Sequence, residues 1–296
     1  MQKKLLFIVN PRAGKTKSRT PLFEALAAYC AAGYLVNVQY TGAAGDAARI
    51  ARELGAQYDM VVCHGGDGTL SETVNGVMMV DAAQRPCVGY LPGGSTNDFA
   101  ASLRISSDLP EAARQALLHG TRMLDVGQFN DRRFVYVAAF GAFTRTSYRV
   151  HQDLKNMLGH TAYLLDGVKD LDTLRSYAVR ITADGEVLDG EYLFGAVANT
   201  TSIAGLVKLD QTLTQPDDGA FELLLIRAPR TAAQLQSLVR AMLLQEYDSD
   251  AIIFRHISNV TVEPEGELPW ALDGEYAPSA PRVEIFVEKQ ALCMMI

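Results

Sequence analysis

A run of apolar residues at positions 5–9 stops at Asn10-Pro11, too short for a helix and bounded as a buried strand is. Residues 21–32 then carry helical spacing, with Pro21 where a first turn tolerates it. Residues 34–40 read as a second strand ending at Thr41-Gly42, and residues 46–54 as a second helix. The continuous apolar stretch 59–63 predicts a strand, 70–80 a helix, 87–91 a strand and 109–119 a helix. Strands and helices alternating in this way imply a parallel sheet with helices on both faces, so the fold class expected for residues 1–125 is α/β.

Beyond residue 125 the pattern changes. Segments 125–140, 176–182, 191–198, 220–227, 257–264 and 282–288 are strand-like, punctuated by turn-forming pairs such as Asp184-Gly185 and Asp189-Gly190. Two helical stretches, 154–175 and 232–244, interrupt them. A second, mostly antiparallel β domain is expected over residues 126–288, with 289–296 able to return to the first.

Parallel topology places every loop that leaves a strand toward its helix on one edge of the sheet, where open α/β sheets bind ligands. Three loops qualify: residues 10–15 (NPRAGK), 64–69 (HGGDGT) and 92–98 (PGGSTND). All three are rich in glycine or small polar residues.

Composition narrows the partners. With 48% hydrophobic and 21% charged residues the chain has the balance of a soluble globular protein. Its longest apolar stretch, residues 134–143, is half of a membrane span. The opening MQKKLLFIVNPRAGK has too short an apolar core for a signal peptide. A net charge of -7 argues against a general nucleic-acid binder, although a nucleotide pocket needs only local donors. Cys30, Cys63, Cys87 and Cys293 are far apart with no CxxC pair. Neither a zinc site nor a disulfide framework is implied, and a reducing compartment is expected.

The loop in CHGGDGTLSETVNG (residues 63–76) can do chemistry or only turn the chain. Its glycines let backbone approach a ligand, and amides at the start of the following helix favour anions. Thr69 and Ser71 can cap that helix or donate to a phosphate. Asp67 can accept from a nucleophile or orient water around Mg2+, while a plain turn with Asp67 as helix cap accounts for it equally. His64, with no second His, Cys or Glu beside it, reads as a packing residue. Ala13-Gly14-Lys15-Thr16 ends like a Walker A motif, but that motif needs glycine where Val9 stands. Asn10 and Lys15 can still meet a nucleotide's phosphates. In the third loop Asn97 suits an adenine edge or ribose, and Asp98 a helix cap.

GGDGT at 65–69 and PGGSTND at 92–98, with NPRAGK at the first strand, resemble the diacylglycerol kinase catalytic-domain family. Within it the chain is similar to the soluble bacterial lipid kinases, and the β-rich second half and late DGE extend the resemblance to nearly the full length. The resemblance implies an NAD kinase-like α/β domain followed by a β-sandwich, with the active site in the cleft between them. It implies ATP- and Mg2+-dependent phosphorylation of a lipid hydroxyl, such as that of diacylglycerol. Carried over residue by residue, it makes Asn10, Pro11, Arg12, Ala13, Gly14, Thr41, Gly66, Asp67, Gly68, Thr69, Leu70, Ser71, Glu72 and Ser95 nucleotide contacts. Asn97 joins them from its loop chemistry, and Ser95 stands where the family usually has threonine, keeping a hydroxyl.

The family's proton acceptor is a late DGE, and the chain has three: residues 184–186, 189–191 and 273–275. Only the third lies between the last strands, so Asp273 is taken as the base with Glu275 as rival, and the other two as hairpin turns. Asp67 is left to organise metal and phosphates. In TQPDDGAFELLLI the resemblance implies a metal held by Gln215, Asp218 and the backbone oxygen of Ala220; oxygen donors suit Mg2+, though a turn entering a strand also explains the stretch. Residues 144–175 interleave Arg145, Arg149 and Lys155 with Phe143, Tyr148, Met157 and Leu158. Such a mixture suits contact with an anionic bilayer, or a helix packed on its own domain.

The implied partners are ATP and a lipid substrate met by peripheral contact at a membrane surface. A homodimer is one option, nucleic acid is not expected, and the expected place is the cytoplasm or the inner face of the membrane. Two alternatives stand beside the lipid kinase: an NAD kinase-like small-molecule kinase, disfavoured by PGGSTND, and a non-catalytic nucleotide- or lipid-binding regulator, disfavoured by retention of both acidic motifs.

Overall fold

The computed structural model describes residues 2–13, 20–94, 97–141, 175–200, 202–203, 207–208, 215–244, 246–247 and 249–296. Gly14, Lys15, Ser95 and Thr96 lie outside the described residues, as does 142–174, which holds most of the expected helix 154–175 and of the candidate bilayer segment. The chain divides into two compact units, Met1–Val126 with Glu288–Ile296, and Gly127–Val287.

The first unit runs β1 (Lys4–Val9), α1 (Thr20–Ala31), β2 (Leu35–Tyr40), α2 (Asp46–Leu54), β3 (Met60–Gly65), α3 (Asp67–Met78), β4 (Cys87–Pro92), α4 (Asp98–Ser102) and α5 (Leu109–Leu118). Its strands are parallel in the order β4-β3-β1-β2. Alternate residues of β1 serve opposite faces: Leu5, Phe7 and Val9 pack with Ala25 and Tyr29 of α1 and Ala112 and Ala113 of α5. Leu6 and Ile8, fully buried, face the other way. The α2–α3 pair is held close by Gly76, where a Cβ would stand 2.2 Å from the Ala48 carbonyl oxygen. Parallel strands buried on both faces have the continuous apolar runs that made them readable.

Boundaries differ from expectation mainly at the loops. The strand expected at 59–63 reaches Gly65, the helix expected at 70–80 starts at Asp67, and the short α4 precedes the helix expected at 109–119. Small residues at 66–69 carry no apolar period, so a pattern reading begins the helix too late.

The second unit contains β5 (Thr121–Phe129, entering from the first unit), β6 (Arg132–Phe134), β7 (Val137–Gly141), β8 (Tyr177–Ala183) and β9 (Glu186–Ala198). The short strands β10 (Ser202–Ile203) and β11 (Val207–Lys208) pair with each other. Then follow β12 (Phe221–Arg227), α6 (Ala232–Leu244), β13 (Ile252–Ile257), β14 (Asn259–Pro264), β15 (Trp270–Leu272), β16 (Glu275–Ala277) and β17 (Val283–Met295). Pairing within this unit is antiparallel. The far half of β9 lies between β7 and β12, and its near half pairs with β8. Phe140, Val197 and Leu223 from one set of strands pack against Ile181, Val260 and Ile285 from the other, as in a β-sandwich.

Two expectations are corrected. Asp189-Gly190-Glu191 is not a hairpin turn: it lies inside β9, where Asp189 pairs across to Arg180 and forms an ion pair at 3.0 Å. Asp184-Gly185 is a turn, with φ of 44° and 91° joining β8 to β9. The second correction concerns cysteine. Cys87 and Cys293 form a disulfide across 206 residues, because the end of β17 runs parallel to β4 with Met294 opposite Val88. Spacing along the chain carries no trace of that pairing. Replacing both cysteines by serine is expected to cost about 2–4 kcal/mol of unfolding free energy against oxidised protein. Urea denaturation with and without reductant checks this, since reductant should erase the difference.

Among the described residues, no helix is long and apolar enough to cross a membrane.

Candidate active site

The parallel ladder brings the three loops together. Past the last strand pair, the Asn10 N–H donates to the His64 carbonyl at 2.9 Å and the Gly93 N–H to Gly65 at 2.7 Å. The Thr41 N–H donates to Val9 at 2.9 Å, so the end of β2 stays beside them. Asn10 ties its loop to the second: its Nδ2 donates to Thr69 Oγ1 at 3.0 Å. Its Oδ1 accepts from the Arg12 N–H at 3.0 Å, turning Pro11 and Arg12 out to solvent. Ala13 closes the turn onto the Asn10 carbonyl.

The glycines of the second and third loops are in backbone contact. A Cβ on Gly94 would stand 2.6 Å from the Gly66 Cα, and one on Gly93 would strike His64 at 2.5 Å. His64 is buried, with Nδ1 3.1 Å from the Leu91 carbonyl oxygen, and burial lowers its pKa, as befits a packing residue. Gly66 is the N-cap of α3 and offers no side-chain cap, and an α-helix supplies no intrahelical acceptor for the amides of its first turn. Thr69, Leu70 and Ser71 are buried in that turn.

Asp67 and Glu72 work on neighbouring helices. The Asp67 carboxylate accepts from the backbone N–H of Asp98 (3.2 Å) and Phe99 (3.4 Å), at the start of α4. The cap expected of Asp98 therefore comes from Asp67, since α4 follows Asn97 in the left-handed region (φ 52°) with no cap of its own. Lost hydration, and secondly the Asp67 charge, push the Asp98 carboxyl above its usual range. Glu72 accepts from Gly45 at 2.7 Å and Ala47 at 3.2 Å, at the start of α2. Glu72→Ala is expected to cost about 1–2 kcal/mol, the scale of a lost cap, read from urea denaturation.

Asn97 is turned into its own loop: Oδ1 accepts from Gly94 at 2.8 Å and Nδ2 donates to the Gly94 carbonyl at 3.1 Å. Tyr90, which sequence reading treats as core, reaches both the Gly65 carbonyl and Asn97 Oδ1 at 3.2 Å. Burial, and then the Asp67 charge, raise its phenol pKa. Nothing in VGYLP marks this tyrosine off from a core residue.

The late acidic triplet is a hairpin turn between β15 and β16, with φ of 48° at Asp273 and 81° at Gly274. Asp273 is 2% exposed. Its Oδ2 accepts from Val135 N–H at 2.8 Å, and its Oδ1 from Tyr136 and Val137 at 3.0 and 3.1 Å. Glu275 is exposed at the first position of β16.

The implied Mg2+ ligands lie on one turn before β12. Asp218 Oδ1 accepts from the Ala220 N–H at 2.9 Å, and Gln215 and Asp218 are exposed. Among the described residues no group of three His, Cys, Asp or Glu is placed to hold a metal, so any fit must come from mixed oxygen donors. Glu222, missed in sequence reading, supplies the test: it is 1% exposed and its Oε2 has no hydrogen-bond partner. Burial, with the Asp218 charge adding to it, pushes this carboxyl up to about 8. Carboxylate, amide and carbonyl oxygens on the turn that leads into β12, with an orphaned carboxyl oxygen at the start of that strand, suit a hard cation such as Mg2+.

Comparison with known proteins places these features in a family. The family model described as diacylglycerol kinase catalytic domain matches residues 4–129. The one described as YegS C-terminal NAD kinase beta sandwich-like domain matches residues 137–295. The chain is 34% identical over 283 residues to a diacylglycerol kinase of Bacillus subtilis (strain 168), covering 94% of this chain and 92% of that one. It is 32% identical over 284 residues to a diacylglycerol kinase of Staphylococcus carnosus (strain TM300), covering 95% and 91%. A crystal structure of a diacylglycerol kinase from Bacillus anthracis str. Sterne superposes with a TM-score of 0.75 at 23% identity, over 99% of this chain and 97% of that one. A further structure from that strain gives 0.79 at 24% over the same shares, which speaks for the fold.

Proposed function

Because the chain belongs to the diacylglycerol kinase family, we propose that it is an ATP- and Mg2+-dependent lipid kinase phosphorylating a hydroxyl of a lipid such as diacylglycerol. The observation that carries this reading is the meeting of three loops at one sheet edge, where Gly66 touches Gly94 and Asn10 bonds Thr69 beside the uncapped start of α3. Backbone amides at a helix start, approached by glycine loops without side chains in the way, are suited to a polyphosphate.

In this reading residues 10–14, Thr41, residues 66–72, Ser95 and Asn97 form the nucleotide site. Gly66 and Gly68 act through backbone, Asn10 and Asn97 set the loops, and Asp67 locks the second loop to the third. Phosphoryl transfer rests chiefly on such positioning and charge stabilisation. Mg2+ held by Gln215, Asp218 and the Ala220 carbonyl oxygen would supply positive charge to order anionic groups.

The lipid hydroxyl must give up a proton as it attacks the γ-phosphate. Asp273 and Glu275 are the candidates, and their surroundings favour Glu275. Both oxygens of Asp273 already accept backbone N–H groups in a buried pocket, so that carboxylate serves to hold the turn. Glu275, one residue past the turn and exposed, is the proton acceptor. A lipid acceptor calls for peripheral contact with a membrane, and ATP as donor calls for the cytoplasmic side.

The test is transfer from γ-labelled ATP to a panel of mixed-micelle lipids with NAD included. Label in a glycerolipid is expected. Label in NAD alone would make the chain an NAD kinase, and ATP binding without transfer would make it a regulator.

A further inference from the structure

Glu222 is the second residue of β12, opposite Ala198 of β9 and His256 of β13. The two-residue period of the strand puts it on the face of Leu224 and Ile226, at the end of an apolar row. A carboxylate here loses its water, and its Oε2 receives no hydrogen bond in return. Among the described residues its ion-pair neighbour is His256, whose Nδ1 stands 3.8 Å from Oε1, beyond hydrogen-bond range. Asp218 lies on the turn that leads directly into β12, its Oδ1 accepting from the Ala220 N–H at 2.9 Å. Two acidic side chains so placed, one buried at the start of β12 and one exposed on the turn before it, offer oxygens that a hard divalent cation can bridge.

We infer that Glu222 is a further ligand of a divalent cation held by the 215–220 turn, its Oε2 joining the Asp218 carboxylate. The inference rests on reading that turn as a cation site. It assigns the buried oxygen a partner and makes the cation a fastener between the turn and the start of β12.

Mn2+ binding to the nucleotide-free protein, by electron paramagnetic resonance and calorimetry, tests this without any kinase assay. Wild type is expected to bind Mn2+ and to melt higher with it. Glu222→Gln should bind at least tenfold more weakly and lose that Mn2+-dependent rise, with circular dichroism reporting its fold. Glu222→Asp keeps the charge but shortens the reach, and should also weaken binding. Wild-type affinity in both variants, with loss only in Asp218→Asn, would overturn the role of Glu222 and leave the turn as a cation site. No Mn2+ bound by wild type would overturn the site itself, while label transfer from ATP would still judge the kinase reading.

Discussion

Glu275→Gln is expected to lower transfer of label from ATP to lipid by about 10²–10⁴-fold, the range of a lost general base, with the melting temperature unchanged. Asp273→Asn is expected to behave differently, losing stability as well as activity. The contrast follows from what each carboxylate touches. Asp273 is buried and accepts three backbone N–H groups, from Val135, Tyr136 and Val137. Hydrogen bonds to a charged group are worth about 1.5–3 kcal/mol each, and an amide in its place turns an NH2 toward backbone donors.

Asparagine is the right probe because it tolerates the left-handed backbone that Asp273 adopts at φ 48°. The turn itself is therefore spared, and the loss reports the missing acceptor. Glu275 stands exposed at the head of β16, where glutamine keeps shape and removes only basicity. Thermal melts beside single-turnover rates separate the cases. If Glu275→Gln stays active while Asp273→Asn folds normally and is dead, Asp273 is the acceptor after all.

Much of the first unit was legible because parallel strands buried on both faces write themselves as unbroken apolar runs, as in residues 5–9 and 60–63. The second unit was coarser. The expected strand 125–140 is three strands, β5, β6 and β7; β13 was not expected, and β17 extends to Met295, well past Glu288. Alternation in antiparallel strands is short and easily merged across a tight turn. The helix at Ala232–Leu244, whose apolar period is long enough to stand alone, matched its expected span.

For the site, motif residues announced themselves but their partners did not. GGDGT and PGGSTND are visible in one dimension; that Gly66 rests on Gly94 is a fact of register, set by Gly65 opposite Pro92. Tyr90 and Glu222 were hidden for opposite reasons. Tyr90 sits in a run that reads as core, and Glu222 in FELLLI reads as a polar position facing solvent, whereas it is buried. The Cys87–Cys293 bridge depends on a strand returning from the far end of the chain, and no local pattern encodes a return.

Asp67→Asn is the other large effect expected: about a hundredfold loss of transfer, the cost of misplacing reacting groups by about 1 Å, with a smaller loss of stability. Both Asp67 oxygens accept backbone N–H groups at the start of α4, a five-residue helix that has no cap of its own. Asparagine can serve only one of those donors and carries no charge to meet the helix end, so about 0.5–2 kcal/mol of capping is at stake. The displaced element is the loop holding Gly94 and Asn97, which lies against Gly66 and the first turn of α3. ATP affinity and turnover should fall together, because a shifted loop spoils phosphate binding before chemistry. An independent readout comes from Asp98, whose carboxyl is raised partly by the Asp67 charge. Removing that charge should bring it down toward the ordinary range, seen by NMR titration. A variant with the Asp98 shift but undiminished transfer would mean that the Asp67 bridge props up α4 and nothing more.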